Sequence, residues 1–280
     1  MTNLEFVVDI RPDGELPLLS GAGQLGDISI FMGRPGSGKS LFLRYLFALL
    51  AEDRELAFDT SEEILKEGGW ASLRVGDGLL ECSKSQEDGG LACVLKKYAR
   101  DEAYLLYEGV LFTLKHRREI PYPKVADALA RMLERIAKFK GGRHHIELRG
   151  DGRWYERVGG RLVDFSLASS AVVTVGVLER ALQLDAWLLL DGTLDGLHPG
   201  EVLYLAGLAS TATARLVATT HSPWVRRAFA CHRGAARAQG MPAGDKLVKT
   251  YEFVDGEVRE IELASETYGK EFERLYTACV

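Results

Sequence analysis

The distribution of apolar and polar positions divides this chain into short buried runs and longer helical stretches. Leu4–Ile10 (LEFVVDI) is a short apolar run. Ile28–Met32 (ISIFM) is apolar except for Ser29, the pattern of a strand covered on both faces. A glycine-rich turn follows, then Lys39–Ala51 (KSLFLRYLFALLA), apolar nearly all round and therefore a buried helix. Asp77-Gly78 between apolar runs predicts a hairpin over 71–82, and Asp151-Gly152 predicts a second. Tyr104–Leu114 reads as a strand interrupted at Glu108-Gly109. The stripe Val125, Leu129, Met132, Leu133 and Ile136 predicts a helix from Lys124 to Lys140, ended by Gly141-Gly142.

The last third alternates. Ser170–Leu184, Glu201–Ala212 and the run starting at Pro223 are helical, while Ala186–Leu190 and Arg215–Thr219 are strands. Strands separated by helices predict an α/β fold with a parallel sheet. A hairpin turning at Asp255-Gly256 and a C-terminal helix complete the expectation.

Composition narrows the class. Of 280 residues, 46% are hydrophobic and 27% charged, enough apolar content for a core and too much for disorder. Net charge is −5, which argues against a general nucleic-acid-binding surface. Cys82, Cys93, Cys231 and Cys279 form no CxxC pair, so neither a structural zinc site nor a disulfide framework is expected. No apolar run reaches the ~20 residues of a membrane span, and the first residues do not read as a signal peptide. The expected location is cytoplasmic and reducing.

The strongest chemical signal is Gly33-Arg34-Pro35-Gly36-Ser37-Gly38-Lys39-Ser40, a GxxxxGKS sequence between a buried strand and a helix. Glycines allow such a loop to aim successive backbone N–H groups at phosphate oxygens. Lys39 supplies a point charge to the β- and γ-phosphates of a nucleotide, and Ser40 a hydroxyl to Mg²⁺. The N-terminus of the following helix adds a dipole that favours anions. Gly21-Ala-Gly23-Gln-Leu-Gly26 matches GxGxxG but precedes a strand rather than following one, and is read as a flexible turn. Leu188-Leu189-Leu190-Asp191 places a carboxylate at the carboxyl edge of the sheet, the position expected of a Mg²⁺-holding group.

From Asp191 onward the sequence resembles the ATP-binding cassette (ABC) ATPases. It looks most like the soluble branch of chromosome-maintenance and DNA-repair ATPases and OLD-type nuclease ATPase modules. The residues carrying the resemblance are Asp191, the Gly196-Leu197-His198-Pro199 turn, and Thr220-His221-Ser222-Pro223 at a strand end. The resemblance implies that His221 contacts the γ-phosphate. It implies that Ser169-Ser170, in Leu167-Ala-Ser-Ser-Ala171, form a signature helix start that binds the γ-phosphate held by the opposite subunit. A glutamine-loop group near Mg²⁺ falls by position on Glu108, with Gln86 second.

The general-base glutamate of the family falls on Gly192, which has no side chain, and Asp195 replaces it only if the turn is reshaped. Fold and partners follow as implications: a P-loop NTPase with a parallel core sheet, an N-terminal antiparallel β subdomain and a helical insertion. The chain is expected to be a single domain over 1–280, with 61–160 as the inserted helical and β segment. It is expected to form an ATP-driven homodimer, or a heterodimer with another ATPase, with a nucleic acid or separate nuclease as further partner. A nucleotide sensor and the ATPase subunit of a membrane transporter are the competing readings. The basic clusters Lys115–Arg118, Lys138–His145 and Arg226–Arg237 are read as solvated faces in preference to phosphate contacts.

Overall fold

The computed structural model describes residues 4–96, 102–107, 122–139, 141–149, 153–165 and 167–261. Its centre is a mixed sheet of eleven strands. The strands entering it in chain order are β1 (Leu4–Arg11), β2 (Leu19–Leu25), β3 (Ile28–Gly33), β4 (Trp70–Val75), β5 (Gly78–Lys84), β6 (Leu91–Lys96) and β7 (Ala103–Tyr107). A separate three-stranded sheet holds β8 (Ile146–Leu148), β9 (Trp154–Val158) and β10 (Arg161–Asp164). The main sheet is completed by β11 (Trp187–Asp191), β12 (Arg215–Thr220), β13 (Val248–Val254) and β14 (Glu257–Glu260).

The order is β6-β5-β4-β1-β2-β14-β13-β3-β12-β11-β7. From β13 to β7 every pairing is parallel, and from β6 to β2 every pairing is antiparallel. The parallel strands are those separated by helices in sequence. Such crossovers cover both faces of a sheet, which is why β3 and β11 are apolar without alternation. Residues 70–96 do not leave the sheet: β4, β5 and β6 extend its antiparallel half.

Seven helices lie among the described residues: α1 (Lys39–Ala51), α2 (Arg54–Ile64), α3 (Pro123–Ile136), α4 (Ser170–Ala181), α5 (Pro199–Ala209), α6 (Pro223–Ala230) and α7 (His232–Ala238). Helix α1 is buried along most of its length, as its all-round apolar sequence requires. Helix α2 is absent from the sequence reading because most of its residues are polar or charged. It starts at Asp53, whose carboxylate accepts the Leu56 N–H at 3.2 Å. Tyr45 of α1 shares a 2.8 Å hydrogen bond with Ser61 of α2, and burial pushes the phenol up to about 12.

An aromatic cluster ties β1, β3, α1 and β13 together. Phe31 stacks on Tyr251 at 4.8 Å between ring centroids, and Phe42 meets Phe31 at 4.8 Å and Phe6 at 5.5 Å. Phe31 stands two residues before the glycine loop and Phe42 just beyond it, so the cluster clamps both ends of that loop. This packing also explains the upstream glycines, where the structure corrects the sequence reading. Gly21–Leu25 belongs to strand β2 and not to a flexible turn. A Cβ on Gly23 would fall 2.7 Å from the Tyr251 ring, and the Tyr251 hydroxyl donates to Gln24 O at 2.6 Å. Close approach of a tyrosine is what Gly23 permits, while Gly21 faces Val258 and Gly26 the Leu247 carbonyl.

A second correction concerns the cysteines. Cys82 and Cys93 face each other in the β5–β6 register and are joined as a disulfide. The absence of a CxxC spacing carried no information here, because a hairpin brings distant residues into opposition. The small sheet is seated on α4 and α5 by a buried carboxylate. Glu179 accepts from Arg180 Nη1 at 2.8 Å, from the Tyr204 hydroxyl at 3.0 Å and from the Arg143 N–H at 2.8 Å. Trp154 is buried and stacks on Phe165, a packing role.

Candidate functional site

The loop between β3 and α1 turns on Gly36 (φ +78°) and Gly38 (φ +91°), conformations that favour glycine. Lys39, the first residue of α1, is only 5% exposed because its side chain folds back over the loop. Its ammonium donates to Gly33 O and Arg34 O, both at 2.8 Å. The Ser37 hydroxyl and His221 Nδ1 each lie 3.3 Å from the same nitrogen. Burial pulls the Lys39 pKa below its ordinary value, while the charges of Asp191 and Asp195 oppose that shift.

Parallel register delivers the remaining groups. Asp191 ends β11 opposite Thr219 of β12, and β12 pairs with β3. The Ser40 hydroxyl donates to Asp191 Oδ1 at 3.0 Å, and the Thr219 hydroxyl donates to the same oxygen at 2.7 Å. This is a set of hard oxygen donors built on one carboxylate, the donor type that suits Mg²⁺ alongside phosphate oxygens. Among the described residues no cluster of three or more His, Cys, Asp or Glu forms an all-protein metal cage. His221 Nδ1 also lies 2.9 Å from Gly33 O, so the end of β12 is tied to the start of the loop.

A cavity of about 860 Å³ opens beside the loop. One wall is Gly33–Ser37 with His221, and the other is formed by Leu18, Val254 and Asp255. Its volume falls within the range of small-molecule sites, roughly 300–1,000 Å³.

Gly33, Arg34, Pro35, Gly36, Ser37, Gly38, Lys39, Ser40, Asp191 and His221 therefore converge on one edge of the sheet. Ser169 and Ser170 do not join them. Ser169 is the N-cap of α4, its hydroxyl accepting the Val172 N–H at 3.2 Å, and Ser170 O accepts the Thr174 hydroxyl at 2.7 Å. Neither lines the cavity. Glu108 lies outside the described residues, as does Lys115–Arg118. Gln86 sits in the β5–β6 turn beside Gly68, and β5 is six places from β3 in the sheet order, so Gln86 takes no part.

Thr219 and Thr220 were not picked out as site residues by sequence, and Asp195 was named only as a substitute base that needs a reshaped turn. Asp195 accepts from the Thr220 hydroxyl with one carboxylate oxygen and from the His221 N–H with the other, at 3.0 Å. A threonine pair at a strand end carries no signal until register puts Asp191 opposite Thr219 and the following turn brings Asp195 to Thr220. Members of the other basic clusters are paired within the fold. Arg143 pairs with Glu201 at 3.2 Å and lies over the Tyr204 ring, and Arg233 pairs with Asp245. No helix among the described residues is long and apolar enough to cross a membrane.

No protein-family model and no curated protein matches the sequence. Solved structures do. The Smc head bound to the C-winged-helix domain of ScpA aligns over 94% of this chain and 98% of its own, at 13% identity and a TM-score of 0.57. The recombination mediator protein RecF with ATP aligns over 93% of this chain and 99% of its own, at 12% identity and a TM-score of 0.51. With a glycine loop between β3 and α1, an acidic tip on β11 and a parallel sheet joining them, the chain has the fold of the ABC-type P-loop ATPases.

Proposed function

We propose that this chain binds Mg²⁺-ATP at Gly33–Ser40 and hydrolyses it slowly, with ATP drawing two chains together head to tail. The observation that carries the reading is the meeting of Lys39, Ser40, Asp191 and His221 at the edge of one parallel sheet. The backbone N–H groups of the loop and the ammonium of Lys39 bind the phosphates, exchanging the loop carbonyls for phosphate oxygens. Ser40 and Asp191 would hold Mg²⁺, which neutralises charge on the phosphates when bound. His221 donates to the γ-phosphate. The cavity beside the loop receives the nucleoside.

Hydrolysis is expected to be slow because the residue after Asp191 is Gly192, with no carboxylate to orient water. Where no other carboxylate takes its place, that loss costs about 10²–10⁴-fold in rate. In the dimer, Ser169 and Ser170 at the exposed start of α4 would meet the nucleotide of the partner, an anion site of the helix-terminus kind. The RecF structure contains ATP and the Smc head is bound to a protein partner, which supports a nucleotide-governed assembly role. DNA repair or defence is the process this suits, with a nucleic acid or a nuclease as further partner.

Calorimetry with Mg²⁺-ATP tests the reading: a binding isotherm is expected, lost in Lys39→Ala, and absence of heat in the parent chain would sink it. Gly192 also favours a second reading, a nucleotide sensor that binds ATP and releases no phosphate. A phosphate-release assay with Lys39→Ala as the blank separates the two.

A further inference from the structure

We propose that Asp195 is the carboxylate that accepts the proton of the attacking water, in the place where Gly192 offers no side chain. The inference rests on ATP hydrolysis as proposed above and names the residue through which it runs.

The turn after β11 is what brings Asp195 into range. Gly192 has φ +60°, a left-handed conformation that swings the chain away from the line of the strand. The Asp195 N–H then donates to Gly192 O at 3.0 Å and closes the turn. The Thr193 hydroxyl anchors the same turn to Leu106 O at 2.9 Å. As a result the Asp195 carboxylate returns to the end of β12, beside His221, whose Nδ1 lies 3.3 Å from Lys39 Nζ.

Two carboxylates, Asp191 and Asp195, act on the Lys39 charge. Asp191 is committed to the hydroxyls of Ser40 and Thr219, the oxygen set that fits Mg²⁺. Asp195 remains for the water. It accepts two hydrogen bonds, from Thr220 and His221, and a carboxylate has about four acceptor positions, so lone pairs are left for a third donor. Those two bonds fix its orientation, as a general base requires.

In the step itself, the water oxygen forms a bond to the γ-phosphorus. The bond from that phosphorus to the β,γ-bridging oxygen breaks, and its electron pair leaves with ADP. The water proton passes to the Asp195 carboxylate and from there to bulk water.

Asp195→Asn separates this role from a scaffolding one. The amide oxygen can still accept the His221 N–H, and the amide N–H can donate to Thr220 Oγ1. The Thr220 hydroxyl then turns to Ser222 O, already 3.5 Å away. A scaffold survives that exchange, and a base does not. The experiment compares Mg²⁺-ATP affinity by calorimetry with single-turnover phosphate release, for the parent chain and the Asn variant. The expected result is unchanged affinity with a rate lower by about 10²-fold. An Asn variant that binds ATP and releases phosphate within about threefold of the parent overturns the inference, since an effect that small is below what a general base supplies. A parent that binds ATP but releases no phosphate also overturns it, while a parent that binds no ATP defeats the reading of the site as a whole. If the Asn variant fails to fold, Asp195→Glu carries the test. Phosphate release retained within about tenfold supports the base, and release lost with binding intact overturns it.

Discussion

Gly192 shows how one residue shapes this site. At φ +60° a Cβ is unfavourable by about 1–2 kcal/mol, so the glycine serves the turn as well as lacking a carboxylate. Gly192→Glu is therefore expected to lower unfolding stability by about that amount, read as a lower urea midpoint. It is not expected to speed hydrolysis, because the side chain leaves a left-handed backbone in a direction different from that of an extended one. A gain of about 10²-fold in phosphate release would show that the turn refits around the new carboxylate. Lys39, Ser40 and Asp191 were legible in the sequence because a glycine loop and an apolar run ending in Asp each carry their own local pattern. Thr219 and Thr220 were not, and Asp195 was legible only as a conditional substitute, since their partners lie on distant segments of the chain.

At the scale of elements, the site depends on how β3 and α1 are held relative to each other. Phe31 and Phe42 flank the glycine loop and pack on Tyr251 and Phe6. Phe42 is fully buried, so Phe42→Ala is expected to cost about 3–5 kcal/mol of unfolding free energy, measured by denaturant titration. At the far edge of the sheet, the Cys82–Cys93 disulfide staples β6 to β5. Non-reducing peptide mapping is expected to recover the two cysteine peptides as one linked species. Reduction is expected to destabilise the chain by about 2–3 kcal/mol, the loop-closure value for a short loop. Cys82→Ser with unchanged stability would show that β6 needs no staple. Helix α1 was evident from its apolar run. Helix α2 was hidden by its charges and is specified by the Asp53 cap and by contacts with α1 that a linear pattern does not display.

For the whole molecule, the eleven-stranded sheet places the loop, Asp191 and His221 on one edge and leaves Ser169 and Ser170 outside the cavity. An exposed helix start is a favourable place for an anion, and one that does not serve its own loop is suited to serving a neighbour's. Light scattering is expected to show the molar mass doubling in saturating Mg²⁺-ATP and not in its absence, with Lys39→Ala remaining monomeric. A parent that stays monomeric with bound ATP would rule out the head-to-tail pairing. The sequence by itself determined the α/β class, the parallel half of the sheet, the phosphate loop and the acidic strand tip. Each of these is written in a local run: a period, a glycine spacing, an apolar stretch with one charge at its end. Only the tertiary structure decided that Gly21–Leu25 is a strand, that two cysteines eleven residues apart are bonded, and that Asp195 stands beside His221. Those facts depend on which segments are brought side by side and in what register, which the pattern within one segment does not encode.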